Sequence, residues 1–143
     1  MNDNRYNRWQ GLAIAQLSVA VALISGFSVA GLGAGLSLIQ KHSFVLSGWW
    51  KLAFALSQLF FVIAAFLSCA AVITRLLDFR LTARSVRKQY NPEYKGPLTI
   101  FGCGSKSYGR ATWRLFWLSC ILLALGAVLL ISSIAIAYTD RLH

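Results

Sequence analysis

LAFALSQLFFVIAAFLSCAAVIT, residues 52–74, contains no charged side chain. RLLDFRLTARSVRKQY, residues 75–90, follows without a break and carries five basic side chains and one Asp. The first segment is long enough to cross the roughly 30 Å hydrocarbon core as a helix, for which about 20 apolar residues suffice. Lipid offers the backbone no hydrogen-bond partner, so only helices and closed barrels span it. An apolar run without alternation excludes a barrel strand. Residues 11–39 and 115–139 are likewise free of Asp, Glu, Lys and Arg. The chain is therefore expected to be one all-α membrane domain, residues 1–143. Its three transmembrane helices fall at about 10–39, 51–74 and 113–138. Residues 75–112 form the cytoplasmic loop between the last two.

Composition agrees with this. Only 13% of the 143 residues are charged and mean hydropathy is +0.61, against about 25% charged in a soluble domain. The net charge of +10 raises nucleic acid as a partner, but its distribution argues against that. Arg5 and Arg8 precede the first span. Nine cations lie between the second and third: Arg75, Arg80, Arg84, Arg87, Lys88, Lys95, Lys106, Arg110 and Arg114. Only Lys41, Lys51 and Arg141 lie elsewhere. Basic residues in short loops mark the cytoplasmic side, so the N-terminus is expected inside and the C-terminus outside. All five Trp (Trp9, Trp49, Trp50, Trp113 and Trp117) fall at span ends, where amphipathic rings prefer the headgroup level. A competing reading makes Arg5 and Arg8 the start of a signal peptide, with SVA (28–30) as a cleavage site. A signal core runs only about 7–15 residues, whereas this apolar block continues to Ile39.

The first span carries small residues at every fourth position: Ser18, Ala22, Gly26, Ala30 and Ala34. Gly31 and Gly35 add a G-x-x-x-G beside them. Such residues let helix backbones approach closely in lipid. Packing within the chain and contact between copies are both open readings, the first favoured because three helices already offer partners. The other spans read as bulkier, with Phe54, Phe60, Phe61 and Phe66 in the second and a Leu/Ile-rich run in the third. Gln16 and Gln58 are expected to hydrogen-bond between helices. No Asp, Glu, Lys, Arg or His lies within the segments 11–39, 52–74 and 115–139, which disfavours pumps and coupled transporters. Cys69 and Cys120 fall at similar depth, and Cys103 lies in the loop. Without C-x-x-C or a nearby His, no metal site is expected.

Within 75–90, Leu76, Phe79, Ala83, Val86 and Tyr90 are spaced 3, 4, 3, 4, which is a helical apolar stripe. Asp78 stands one turn from Arg75, a helix-compatible pair. The first Pro is Pro92, so the second span is expected to continue as one rod and to stop at NPEYKGP (91–97). A bend that lays 76–90 on anionic headgroups is the alternative. The cations could also serve orientation alone.

FGCGSKSYGR, residues 101–110, looks like a phosphate cradle, but the P-loop pattern needs Gly directly before Lys and Ser105 intervenes before Lys106. A flexible connection turning at Gly102, Gly104 and Gly109 is the better reading. PLTIF (97–101) could be a short extended piece. His42 and His143 are the only His and Glu93 the only Glu. No Ser/His/Asp arrangement or H-E-x-x-H pattern is present. No catalytic residue and no cofactor are expected.

At NRWQGLAIAQL (7–17), TRLLDFRLTARSVRK (74–88) and GRATWRLFWLS (109–119) the chain resembles a group of small uncharacterised bacterial inner-membrane proteins. The resemblance implies a multi-pass inner-membrane location and brings no activity with it. The layout is also loosely similar to membrane effector modules of bacterial defence systems, at the level of fold alone. The function expected is non-enzymatic association. Spans would assemble through Ser18, Ala22, Gly26, Ala30, Ala34, Gly31 and Gly35. Arg80, Arg84, Arg87, Lys88, Lys106 and Arg110 would contact a cytoplasmic protein or anionic lipid, as an effector or accessory subunit. The expected partners are the bilayer, further copies of the chain and a cytoplasmic protein, but not nucleic acid. The alternative is an oligomeric channel.

Overall fold

The computed structural model describes residues 3–40, 48–90, 99, 100, 102 and 104–139, with 3–14 as backbone only. Three helices account for nearly all of them: α1 (Asp3–Ile39), α2 (Trp49–Tyr90) and α3 (Ser105–Thr139). Each is long and apolar enough to cross a membrane, and the protein is all-α. At about 1.5 Å per residue they run about 55, 63 and 52 Å, well beyond the roughly 30 Å core. As expected, nothing interrupts α2 at the apolar-to-basic boundary, and it continues to Tyr90. The connection to α3 is shorter than expected, because 105–112 is already helix. Gly109 lies inside α3 and makes no turn. Gly102 is in a left-handed conformation at φ 74°. The stop at 91–97, most of 97–101, Cys103, His42 and His143 lie outside the described residues.

Neighbouring helices are antiparallel. Ser25 of α1 hydrogen-bonds Ser68 of α2, while Gly31 and Gly35, further along α1, meet Phe61 and Gln58. Thr74 of α2 bonds Thr112 of α3, while Phe61 meets Gly126. The start of α1, the end of α2 and the start of α3 therefore share one end of the array.

The closest pairing, α2 with α3, rests on small side chains. Buried Thr112, Ser119, Gly126 and Ser133 recur every seventh residue along α3. Ser57, Ala64 and Ala71 do so along α2, and half-buried Asp78 falls on the next step. A seven-residue period keeps one narrow stripe facing a partner, as in left-handed helix pairs. The expectation of a bulky α2 surface is half met. Phe54 and Phe61 are buried, but Phe66 is 72% exposed. The buried hydroxyls do not lack partners. Ser57, Ser119 and Ser133 donate to Phe54, Phe116 and Leu129 carbonyls of their own helices, which removes the cost of an unpaired hydroxyl in an apolar setting.

The ring of Phe61, 2% exposed, fills the centre. A Cβ on Gly126 would lie 3.2 Å from that ring and 3.3 Å from the Ser57 carbonyl, and one on Gly31 would lie 2.7 Å from the ring. Gly35 is similarly closed off by the Gln58 side chain, whereas Gly33 has open space. Gly126→Val should therefore cost about 1–3 kcal/mol through overpacking. Gly33→Ala should leave stability unchanged or slightly raised. Unfolding in mixed micelles, followed by circular dichroism, measures both.

Candidate functional site

The antiparallel arrangement gathers the basic residues. Arg75, Arg80, Arg84, Arg87 and Lys88 on α2 and Lys106, Arg110 and Arg114 on α3 occupy the same end. Arg5 and Arg8 lie in the opening turns of α1, at that end too. Asp78 is the sole acidic side chain described there. Its Oδ2 lies 3.4 Å from Arg75 Nη1, and both side chains are partly covered, at 28% exposure for Arg75 and 19% for Asp78. The pair expected one turn apart thus forms. The Arg75 guanidinium also sits 4.8 Å over the Phe79 ring, a cation–π contact. Its Nε is buried without an acceptor among the described residues. Asp78 borders Gly109 of α3, so this ion pair sits against the α2–α3 seam.

Two features knit this end together. The Thr74 and Thr112 hydroxyls lie 3.0 Å apart, each within reach of a carbonyl of its own helix, Ala71 and Tyr108, so that with one proton apiece one donates across the seam while the other donates to its own helix. The Tyr108 hydroxyl donates to the Ile100 carbonyl at 2.8 Å, tying α3 to the segment before it. The Gly104 carbonyl accepts from the Ser107 and Tyr108 amides and opens α3. Lys106 is consequently an exposed helical residue in the first turn, in line with Arg110 one turn on. That geometry places it on a helix face and not in a glycine cradle.

Among the residues expected to contact a partner or lipid, Arg80, Arg87, Lys88, Lys106 and Arg110 are exposed and Arg84 is half-buried. The apolar stripe of α2 is largely uncovered: Leu76 is 53% exposed, Phe79 41%, Val86 46% and Tyr90 86%. Leu81, off that stripe, is the residue fully buried instead. It continues the inward series after Asp78, a continuation that the spacing of Ala71, Asp78 and Leu81 could have shown.

The small-residue face of α1 divides in two. Gly31 and Gly35 pack on α2. Ser18, Ala22, Gly26, Ala30 and Ala34 are all exposed. The face turned inward is another one, with Val21, Ser28 and Gly35 buried at seven-residue spacing and Ile24 beside them. Ala30 and Ala34 edge an open groove of about 570 Å³ between α1 and α3, floored by Phe61. Cys120 lines the groove, Cys69 is exposed, and both thiols are free. Gln16 is exposed and makes no hydrogen bond to a described residue. Gln58 reaches α1 at Gly35, yet its amide bonds Ser57 on its own helix at 3.3 Å. The expected Gln cross-links are thus replaced by Ser25–Ser68, at 2.7 Å, and Thr74–Thr112. Among the described residues, no three His, Cys, Asp or Glu side chains cluster as metal ligands.

Compared with known proteins, the chain matches no family model, no curated protein and no solved structure at a significant level.

The Thr74–Thr112 bond should couple α2 and α3 weakly. Hydrogen bonds between membrane helices average about 0.6 kcal/mol and reach about 1.7. A double-mutant cycle with Thr74→Val and Thr112→Val, read by unfolding in micelles, should return a coupling in that range. Zero coupling would mean that the two hydroxyls are satisfied wholly by their own helices.

Proposed function

We propose that this chain is a non-enzymatic, multi-pass protein of a bacterial inner membrane that works by association. Its basic end faces the cytoplasm and contacts a partner protein or anionic lipid, and its spans assemble with further copies. The observation that carries this reading is the gathering of eight cations from two helices at one end, with Asp78 the sole acidic side chain described among them. Cations concentrated on one side are what the positive-inside rule associates with the cytoplasm. Anionic surfaces attract such clusters by about 1 kcal/mol per residue. An effector or accessory subunit fits a body of this kind, which presents a charged rod on a membrane anchor.

Assembly is supported by the α1 face of Ser18, Ala22, Gly26, Ala30 and Ala34, which stays exposed after the three helices have packed. The same face favours the second reading, an oligomeric channel. The seams within the chain carry hydroxyls that are bonded to backbone, so a conducting path would have to run between copies.

Native mass spectrometry of the protein in lipid discs should show a defined oligomer, and Gly26→Leu with Ala30→Leu should convert it to monomer. A wild-type monomer would refute assembly through α1. Separately, replacing Arg80, Arg84, Arg87 and Lys88 with Gln should abolish crosslinking to any cytoplasmic partner at an unchanged protein level. Intact crosslinking would remove these residues from the contact.

A further inference from the structure

One face of α3 changes chemistry in an ordered way along its length. Arg110, Arg114, Trp117, Ile121, Leu125 and Val128 are spaced 4, 3, 4, 4 and 3, and all six are exposed. Residues at such spacing lie one above another on a helix. Going from the basic end toward the other, the face reads cation, cation, indole, then three aliphatic side chains. Trp117 is 60% exposed, Ile121 53%, Leu125 46% and Val128 61%. Lys106 lies one turn before Arg110 on the same line, and Trp113 stands beside Arg114 at 53% exposure. None of Lys106, Arg110 and Arg114 has an ion-pair partner among the described residues. Shallow concavities flank Arg110 and Arg114 on both sides, one reaching Ser107 and the other Lys106 and Trp113.

That order is the order of groups in a glycerophospholipid. Its phosphate is anionic, its glycerol ester region is amphipathic, and its acyl chains are aliphatic. Two guanidiniums one turn apart offer planar, multi-donor recognition of phosphate oxygens. Indoles settle at the ester level. The aliphatic row offers a track for a chain running beside the helix. Orientation by positive charge requires none of this alignment, and α2 shows the contrast. The cation next to its apolar segment, Arg75, is paired with Asp78 and lies over the Phe79 ring, whereas on α3 the cation next to the apolar segment, Arg114, has no ion-pair partner among the described residues and stands in line with Trp117.

We propose that the Arg110–Arg114–Trp117 face of α3 is a specific boundary site for one anionic phospholipid, its phosphate held by Arg110 and Arg114 and a chain lying along Ile121, Leu125 and Val128. The proposal deepens the lipid-contact part of the function proposed above and rests on its membrane orientation. It is independent of assembly through α1 and of the α2 cations.

The test is native mass spectrometry of the full chain released from detergent, titrated with dioleoyl phosphatidylglycerol, tetraoleoyl cardiolipin or dioleoyl phosphatidylcholine. The expected result is one retained anionic lipid and no retained phosphatidylcholine. Arg110→Gln with Arg114→Gln should weaken retention about thirtyfold, equivalent to about 2 kcal/mol at about 1 kcal/mol per residue. Replacing Arg80, Arg84, Arg87 and Lys88 with Gln should weaken retention much less than the α3 pair does. The Lys pair, Arg110→Lys with Arg114→Lys, should retain lipid more weakly than wild type but more strongly than the Gln pair. A larger loss from the four α2 substitutions than from the α3 pair would show diffuse charge attraction and overturn the proposal. Equal retention of phosphatidylcholine, or complete displacement of the lipid by inorganic phosphate, would overturn it as well. Loss of the α3 site with oligomer and crosslinking intact would leave the association reading standing.

Discussion

A hydroxyl placed in hydrocarbon must find an acceptor, and in this protein it finds one on its own helix. Ser28, Ser57, Ser119 and Ser133 are completely buried, and each donates to a carbonyl three or four residues earlier. The consequence reaches beyond hydrogen bonding. A serine satisfied this way is nearly as small as alanine and asks nothing of the neighbouring helix. Two helices can then approach along a line of such residues, and dispersion across the close contact holds them. In lipid no hydrophobic effect is available to do so, because exposed leucines are already in an apolar solvent. This explains why so many large side chains, Phe66, Val128 and Ile131 among them, face outward while serines face inward.

The pairing of α2 with α3 is the rigid part that follows. It is closed at its centre by Phe61 against Gly126, and near its basic end by Thr74 with Thr112 and by Asp78 against Gly109. Helix α1 leans on α2 through Gly31, Gly35 and Ser25 and leaves a groove toward α3. The consequence for the basic end is geometric. Because the α2–α3 seam continues past the uncharged segments, the cations of both helices are held by one packed pair and do not depend on a flexible loop to come together.

Much of this was legible in the sequence. Uncharged blocks at 11–39, 52–74 and 115–139 located the three helices. The lack of Pro before Pro92 showed that α2 would continue through its basic stretch. What was not legible was which face of each helix turns inward. The period-four series in α1 is the most regular small-residue pattern, yet a period of four drifts around a 3.6-residue helix, and its members Ser18 to Ala34 stay outside. The period-seven series were quieter, because Thr112, Ser119, Gly126 and Ser133 are chemically mixed and share only small size. Likewise the stripe of Leu76, Phe79, Val86 and Tyr90 was visible as a stripe, but its exposure depended on Leu81 taking the inward position. Hydropathy finds a membrane helix because lipid contact selects it, and for the same reason hydropathy is blind to the side that packs.

The excess helix length is also unevenly placed, and that bears on how the protein works. Beyond its uncharged segment α2 adds sixteen residues, Arg75–Tyr90, about 24 Å at about 1.5 Å per residue. At the opposite end Trp49, the first residue of α2, lies three residues before Leu52 opens that segment. Mismatch alone would be relieved by tilt and would not favour one end. A one-sided projection that keeps helical order requires contacts outside the lipid. Leu81 supplies one, buried completely, and the Arg75–Asp78 pair against Gly109 supplies another. Exposed apolar side chains in the spans cost nothing against lipid. Those on the projection, Val86 and Tyr90 above all, stand where the proposed orientation puts water or headgroups. Apolar surface beyond the uncharged segments is therefore concentrated on the projecting end, alongside the charge.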